Sequence, residues 1–413
     1  MRSMLFLFGV LGLLSCKAAD PVSSAELISQ FWAAETDQEQ QVAIEALVNS
    51  GADVDTMYRW LSQGPEYSDL VPTGIVESSR IAADDLEFPY VILVPVSYDP
   101  SRAYPVDFML HGGVSRPPPE NGSVWWRSGY ETLADPERIV VVPAAWDEAR
   151  WWFENQAENL QEILRQVKRR YHVDDNRVYL TGTSDGGTGA YFFAFKQPTD
   201  WAAFLPYIAQ PAVLQNPDSG RRYRLYFENL LAKPLYMVNG ENDPLYPAAT
   251  LNRFVEVLRD AEIPHTFTVI EGGGHNTNWL PEQAQRIEDF KQMTVRDPLP
   301  DTVQWVTDPA DNFNRNHWLL IDELESANQP GMVKVERQGN LVSITTLQVE
   351  KFTLLFSPLE IDFGSPLAVY LNGRLVMSES IRQDVETLLK WAAKDKDRSM
   401  LFTAELSLRV SRL

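Results

Sequence analysis

Residues 177–191 read RVYLTGTSDGGTGAY: a short apolar run, a glycine-bracketed serine, then a stretch of small residues. Within it Gly182-Thr183-Ser184-Asp185-Gly186 has the form G-x-S-x-G. The pattern is common by chance, so its context carries the weight. A strand that turns sharply into a helix can present a serine hydroxyl at the turn, provided that the positions two before and two after it carry no side chain. Gly187 and Gly189 would let the helix lie close on its sheet. The spacing therefore predicts a strand over 177–181, a nucleophile elbow at Ser184, and an α/β domain around it.

The rest of the constellation lies downstream in the order that this chemistry uses. Residues 237–244 (MVNGENDP) end a predicted strand and place Asp243 just beyond it, where a carboxylate can orient an imidazole. Glu241 competes for that role in the same loop, and Asp243 is preferred. Residues 272–275 (GGGH) put His275 in a loop after the next strand. Only four other histidines exist: His172 ends a helix, His265 begins a strand, His317 lies beyond the domain, and His111 sits upstream of the elbow. The last belongs to MLHGG (109–113), a glycine loop after an apolar strand. The amides of Gly113 and Asp185 are expected to converge on a developing oxyanion, worth roughly 3–4 kcal/mol per donor. His111 is expected to support that loop and not to act as a base. Ser184, His275 and Asp243 together would suit acyl transfer through an acyl-enzyme. No metal or organic cofactor is expected, since neither an H-E-x-x-H nor a paired-cysteine spacing occurs.

Around this centre, strands are predicted over 86–96, 104–110, 139–143, 235–238 and 267–270. Helices carry apolar residues three or four apart at Ala157, Leu160, Leu164, Val167 and Tyr171, and again at Leu251, Phe254, Val255 and Leu258. Such alternation argues for a mostly parallel sheet covered on both faces, over residues 72–298. Before it, residues 16–71 read as a short helical region. After the proline-rich 297–300 the pattern changes to short strands, with an Asn372-Gly373 hairpin turn and one helix near 382–393. Residues 299–413 are expected to form a β-rich accessory domain.

The chain has 413 residues, 36 Lys plus Arg against 57 Asp plus Glu, and one cysteine. A net charge of −21 repels phosphate backbones and excludes nucleic-acid partners. One cysteine excludes a disulfide framework and a Cys-rich zinc module. It follows the apolar run 4–14 and a preceding Arg2, and Leu13-Leu14-Ser15-Cys16 resembles the lipobox of bacterial lipoproteins. That resemblance implies removal of residues 1–15, acylation of Cys16 and a lipid anchor in the bacterial cell envelope, with plain secretion as the alternative.

The strand from Pro89, the LHGG loop, the run from Asp174 through Gly187, NGENDPLYP from Asn239 and GGGHN resemble the α/β-hydrolases, among them esterase D type enzymes, feruloyl and acetyl-xylan esterases, polyhydroxybutyrate depolymerases and prolyl oligopeptidase catalytic domains. The resemblance covers about residues 88–293 and implies an α/β-hydrolase fold and a carboxylic-ester substrate, with acyl groups on polysaccharides among the expected ones. A serine peptidase is one alternative, although prolyl oligopeptidases carry a propeller of repeated blades ahead of that catalytic domain, where about 70 residues expected to be helical precede it here. An inactive glycan-binding surface lipoprotein is the other. Trp125, Trp126, Trp146, Trp151, Trp152 and Trp279 fall near the predicted loops, where indoles suit sugar or aromatic acyl groups. Residues 210–233, with Arg221, Arg222 and Arg224, offer a cap over the site.

Overall fold

The computed structural model describes residues 23–83, 85–120, 123–309 and 312–410. The export segment and Cys16 lie outside the described residues. Among the described residues no helix is long and apolar enough to cross a membrane.

Three helices come first: α1 (Ser24–Ala33), α2 (Asp37–Asn49) and α3 (Val54–Gln63). Each starts at a side chain able to accept a first-turn amide, namely Ser23, Thr36 and Asp53, and Thr36 with Glu39 forms a reciprocal capping box.

A sheet of eight strands follows: β1 (Gly74–Ile81), β2 (Glu87–Val94), β3 (Tyr104–Leu110), β4 (Ile139–Pro143), β5 (Val173–Thr183), β6 (Ala203–Tyr207), β7 (Leu235–Gly240) and β8 (His265–Ile270). Their order is β1-β2-β4-β3-β5-β6-β7-β8, with β1 and β2 antiparallel and the strands from β4 onward parallel. The expected mostly parallel α/β sheet is thus present. Its strands feed two apolar layers. Alternate residues of β2 show this: Tyr90, Ile92 and Val94 enter one layer, Val91 and Leu93 the other. Helices α4 (Glu154–Arg170), α5 (Asp185–Lys196) and α6 (Asn252–Asp260) cover the first face, and α7 (Leu280–Met293) lies on the second. β1 and β6 are additions to the strands read from the sequence. β1 is an edge strand with Ile75 and Ile81 exposed, and β6 is five residues long with Pro206 inside it.

Beyond Pro300 the strands are β9 (Thr302–Thr307), β10 (Arg315–Asn316), β11 (Leu319–Leu324), β12 (Gly331–Gln338), β13 (Leu341–Leu347), β14 (Val349–Phe356), β15 (Leu367–Leu371), β16 (Arg374–Glu379) and β17 (Ala404–Arg409), with α8 (Val385–Asp395) before the last. They form a five-stranded sheet, β16-β15-β13-β12-β9, and a four-stranded one, β10-β11-β14-β17, around a shared core. Asn372 and Gly373 both take positive φ, 49° and 82°, as a two-residue hairpin requires. The helical N-terminus has no core of its own. Leu27, Phe31, Leu47 and Leu61 pack with Leu388, Leu389 and Ala392 of α8, so the two ends of the chain share one apolar cluster.

Buried polar groups join the C-terminal strands to the central sheet. Arg296 donates to Asn176 Oδ1, to the Thr199 carbonyl and, at 2.6 Å, to Asp397, while Asn229 pairs with the backbone of Val306. Lys233 lies in the same seam with His317 Nδ1 3.4 Å away, a nitrogen that already faces Asn316 Oδ1 at 2.7 Å. Burial, reinforced by Arg296, pulls the Lys233 ammonium down to about 7 from its ordinary 10.5. Between those two values the unfolded chain binds a proton that the folded chain lacks, so stability rises with pH across that window and is lowest below it. Lys233→Met is expected to raise the thermal midpoint at neutral pH and to flatten its rise toward roughly pH 9.5. Melting curves at both pH values check this, and an unchanged slope would acquit Lys233.

Candidate active site

At the β5–α5 junction the chain turns within one residue. Ser184 has φ 57° and ψ −117°, a left-handed conformation that costs a side-chain-bearing residue on the order of 1–3 kcal/mol and is kept where surroundings impose it. The Ser184 amide donates to the Tyr207 carbonyl of β6 at 2.9 Å, and the Ser184 carbonyl accepts from Thr188 at 2.9 Å, which fastens both sides of the turn.

Asp243 follows β7 and is buried. Its Oδ1 accepts from the amides of Leu245 and Tyr246 at 2.8 and 2.9 Å, and its Oδ2 faces His275 Nδ1 at 2.8 Å. Burial pushes this carboxyl up, but the Tyr246 amide, His275 and the Leu245 amide outweigh it and hold its pKa below the ordinary value. His275, in the loop after β8, places Nε2 2.9 Å from Ser184 Oγ. An ionised Asp243 has no proton to give, so His275 carries its proton on Nδ1 and leaves the Nε2 lone pair toward the serine hydroxyl. The three residues chosen from the sequence are thus in one hydrogen-bonded line. Glu241, the competitor, accepts from the Gly272 amide at 2.8 Å and takes no part in that line.

The glycine loop after β3 closes the other side. Gly112 lies so close to the elbow that a methyl on it would stand 3.0 Å from Ser184 Cβ, and Gly113 has φ 72°. His111 accepts from the Ala145 amide through Nε2 at 3.0 Å and donates through Nδ1 to the Gly112 carbonyl at 2.9 Å. Burial pulls its pKa down to about 4, so it stays neutral and braces the loop. The carboxylate of Asp185 accepts from the Val114 amide at 3.0 Å and ties this loop to the elbow. The sequence reading used only the Asp185 backbone. An acid directly after the serine was the available signal, but its target is remote in the chain.

The tryptophans do not form an open sugar-binding face. Trp126, Trp146, Trp151, Trp152 and Trp279 are buried, and only Trp125 is half exposed. Trp151 Nε1 holds the His111 carbonyl, Trp152 Nε1 the Ser219 carbonyl and Trp279 Nε1 the Asn276 carbonyl, so these indoles set the loops by packing and one hydrogen bond each. In the 210–233 segment, Arg224 reaches Asp308 at 3.4 Å and Tyr223 Oη donates to the Trp152 carbonyl at 2.7 Å.

The model of the dienelactone hydrolase family matches residues 77–293. Among curated relatives, the bifunctional acetylxylan esterase/xylanase XynS20E of Neocallimastix patriciarum is 29% identical over 160 residues, covering 38% of this chain and 22% of that protein. The probable feruloyl esterase C of Aspergillus terreus is 25% identical over 176 residues, covering 40% of this chain and 60% of that one. The chain therefore spans less than two thirds of the length of either relative. Solved structures with a similar fold include a thermostable esterase (TM-score 0.43, 22% identity, 54% of this chain and 63% of that one). S-formylglutathione hydrolase from Staphylococcus aureus gives a TM-score of 0.41 at 17% identity, over 54% of this chain and 99% of that one.

Proposed function

Since the chain belongs to the dienelactone hydrolase family, we propose that it is a serine hydrolase that cleaves carboxylic esters, with acyl groups on polysaccharides as its substrates. The observation that carries this is the line Asp243–His275–Ser184, with hydrogen bonds of 2.8 and 2.9 Å. The acetylxylan and feruloyl esterase relatives support the polysaccharide part. Residues 1–15 as an export signal and Cys16 as a lipid anchor in the cell envelope belong to the same proposal.

Ser184 Oγ attacks the ester carbonyl as its proton passes to His275 Nε2. Asp243 holds the imidazole in the tautomer that accepts this proton, then stabilises the imidazolium. The amides of Gly113 and Asp185 serve the oxyanion, and the Asp185 tether keeps their two loops in register. His275 returns its proton to the leaving alcohol, and water activated by the same nitrogen releases the acid. No step calls on a metal or organic cofactor.

Incubation with a fluorophosphonate should label the protein, and tandem mass spectrometry should locate the adduct on Ser184. Acetylated xylan, feruloylated arabinoxylan and aminoacyl nitroanilides, assayed in parallel, should show turnover on the esters. An adduct at another serine, or turnover confined to the anilides, would overturn the reading.

A further inference from the structure

Arg116, three residues past Gly113, is exposed and faces no carboxylate among the described residues. In a chain with 57 acids against 36 basic residues, an arginine at the mouth of a site without an acid beside it stands out. The acids nearby are engaged: Asp147 pairs with Arg150, and Asp185 holds the Val114 amide. Nor does the side chain hang loose. Its guanidinium lies 5.0 Å from the ring centroid of Trp125, and its own amide and carbonyl are bonded to the Val114 carbonyl at 2.8 Å and the Asp147 amide at 2.9 Å.

The position matters more than the charge. A methyl on Gly112 would stand 3.6 Å from Ser184 Oγ, and one on Gly113 would stand 3.6 Å from Arg116 Nη2. These glycines are consecutive, with Cα atoms about 3.8 Å apart. The nucleophile and the guanidinium therefore flank the same two-glycine stretch of the loop, within about 14 Å of each other. Trp125 packs against the guanidinium, and the planar fork of N–H groups matches a carboxylate bidentately.

We propose that Arg116 is a specificity-determining residue that binds a carboxylate carried by the ester substrate, as in an acylated glycan that contains uronic acid. The proposal rests on the esterase reading of the same site. The carboxylate can lie on the alcohol or on the acyl side of the scissile bond, and the site would then prefer charged esters over neutral ones of equal size.

Two pairs of esters on the full chain separate these sources. Phenyl acetate against 4-carboxyphenyl acetate varies the alcohol, and 4-nitrophenyl hexanoate against mono-4-nitrophenyl adipate varies the acyl group. On one pair, the charged-to-neutral ratio of kcat/KM should fall about ten-fold in Arg116→Gln, the scale of one hydrogen-bonded charge pair at an exposed site, with most of the change in KM. Arg116→Lys should fall between, and added salt should shrink the wild-type preference. The responding pair identifies the side. Equal ratios in wild type and Arg116→Gln on both pairs would overturn the proposal while leaving the esterase reading intact. Failure of the wild type to hydrolyse either neutral ester, with no adduct on Ser184, would overturn both.

Discussion

Asp243→Asn should lower kcat by about 10⁴-fold while the protein stays folded. Two donors decide the outcome. The amides of Leu245 and Tyr246 both point at Oδ1, at 2.8 and 2.9 Å. An asparagine keeps them satisfied only if its carbonyl oxygen takes that place, which turns its NH₂ toward His275 Nδ1. Two donors cannot face each other, so Nδ1 must become the acceptor and the ring proton moves to Nε2, toward Ser184 Oγ. In that tautomer the imidazole cannot take the serine proton, and the cation formed during attack also loses its counter-charge. Steady-state kinetics on a neutral ester give the loss, and thermal melting shows whether the fold survives. Asp243→Ala should be as inactive but less stable, because it strands both amides in a buried site. If Asp243→Asn retained more than a tenth of wild-type kcat, the tautomer argument would be wrong and Glu241 would be the acid to replace next.

Ser184, Asp243 and His275 are legible in the sequence because each closes a strand with a local pattern: G-x-S-x-G, an acid after an apolar run, and a histidine behind three glycines. A parallel sheet then brings strand ends together, and β5, β7 and β8 lie in one sheet with only β6 between the first two. What the sequence conceals depends on contacts between distant residues. The hydrogen bond from Val114 to the Asp185 carboxylate spans 71 positions, and no periodicity announces it. The tryptophans near the loops are legible as indoles but not as buried ones, since burial depends on what packs over them. β1 escapes because Ile75 and Ile81 are exposed at an edge, and β6 because five residues with an internal proline resemble a loop. The clustering of Leu27 and Phe31 with Leu388 is the extreme case: each helix shows an apolar stripe, but neither names its partner.

The second large effect concerns one of the two closest approaches in the site. A methyl on Gly186 would stand 2.0 Å from the Leu110 carbonyl oxygen and 2.9 Å from that of His111. Both atoms belong to backbone that a side-chain rotation cannot move. Leu110 ends β3, and His111 opens the glycine loop that carries Gly113, so relief of the overlap must separate α5 from the strand or displace the loop. Gly186→Ala should therefore lose about 3 kcal/mol or more, beyond an ordinary overpacked core position, or roughly 6–12 °C in melting temperature for a domain of this size. Fluorophosphonate labelling should fall in the protein that remains folded, because the Ser184 turn and the 111–113 glycine loop are what the methyl drives apart. Gly274→Ala is the control. It sits beside His275, but its nearest neighbour would be Asn276 Nδ2 at 3.5 Å, an ordinary contact, and a cost within about 0.5 kcal/mol is expected. If both variants melted with the wild type, close packing of α5 on the end of β3 could not be what holds Ser184 and the glycine loop together.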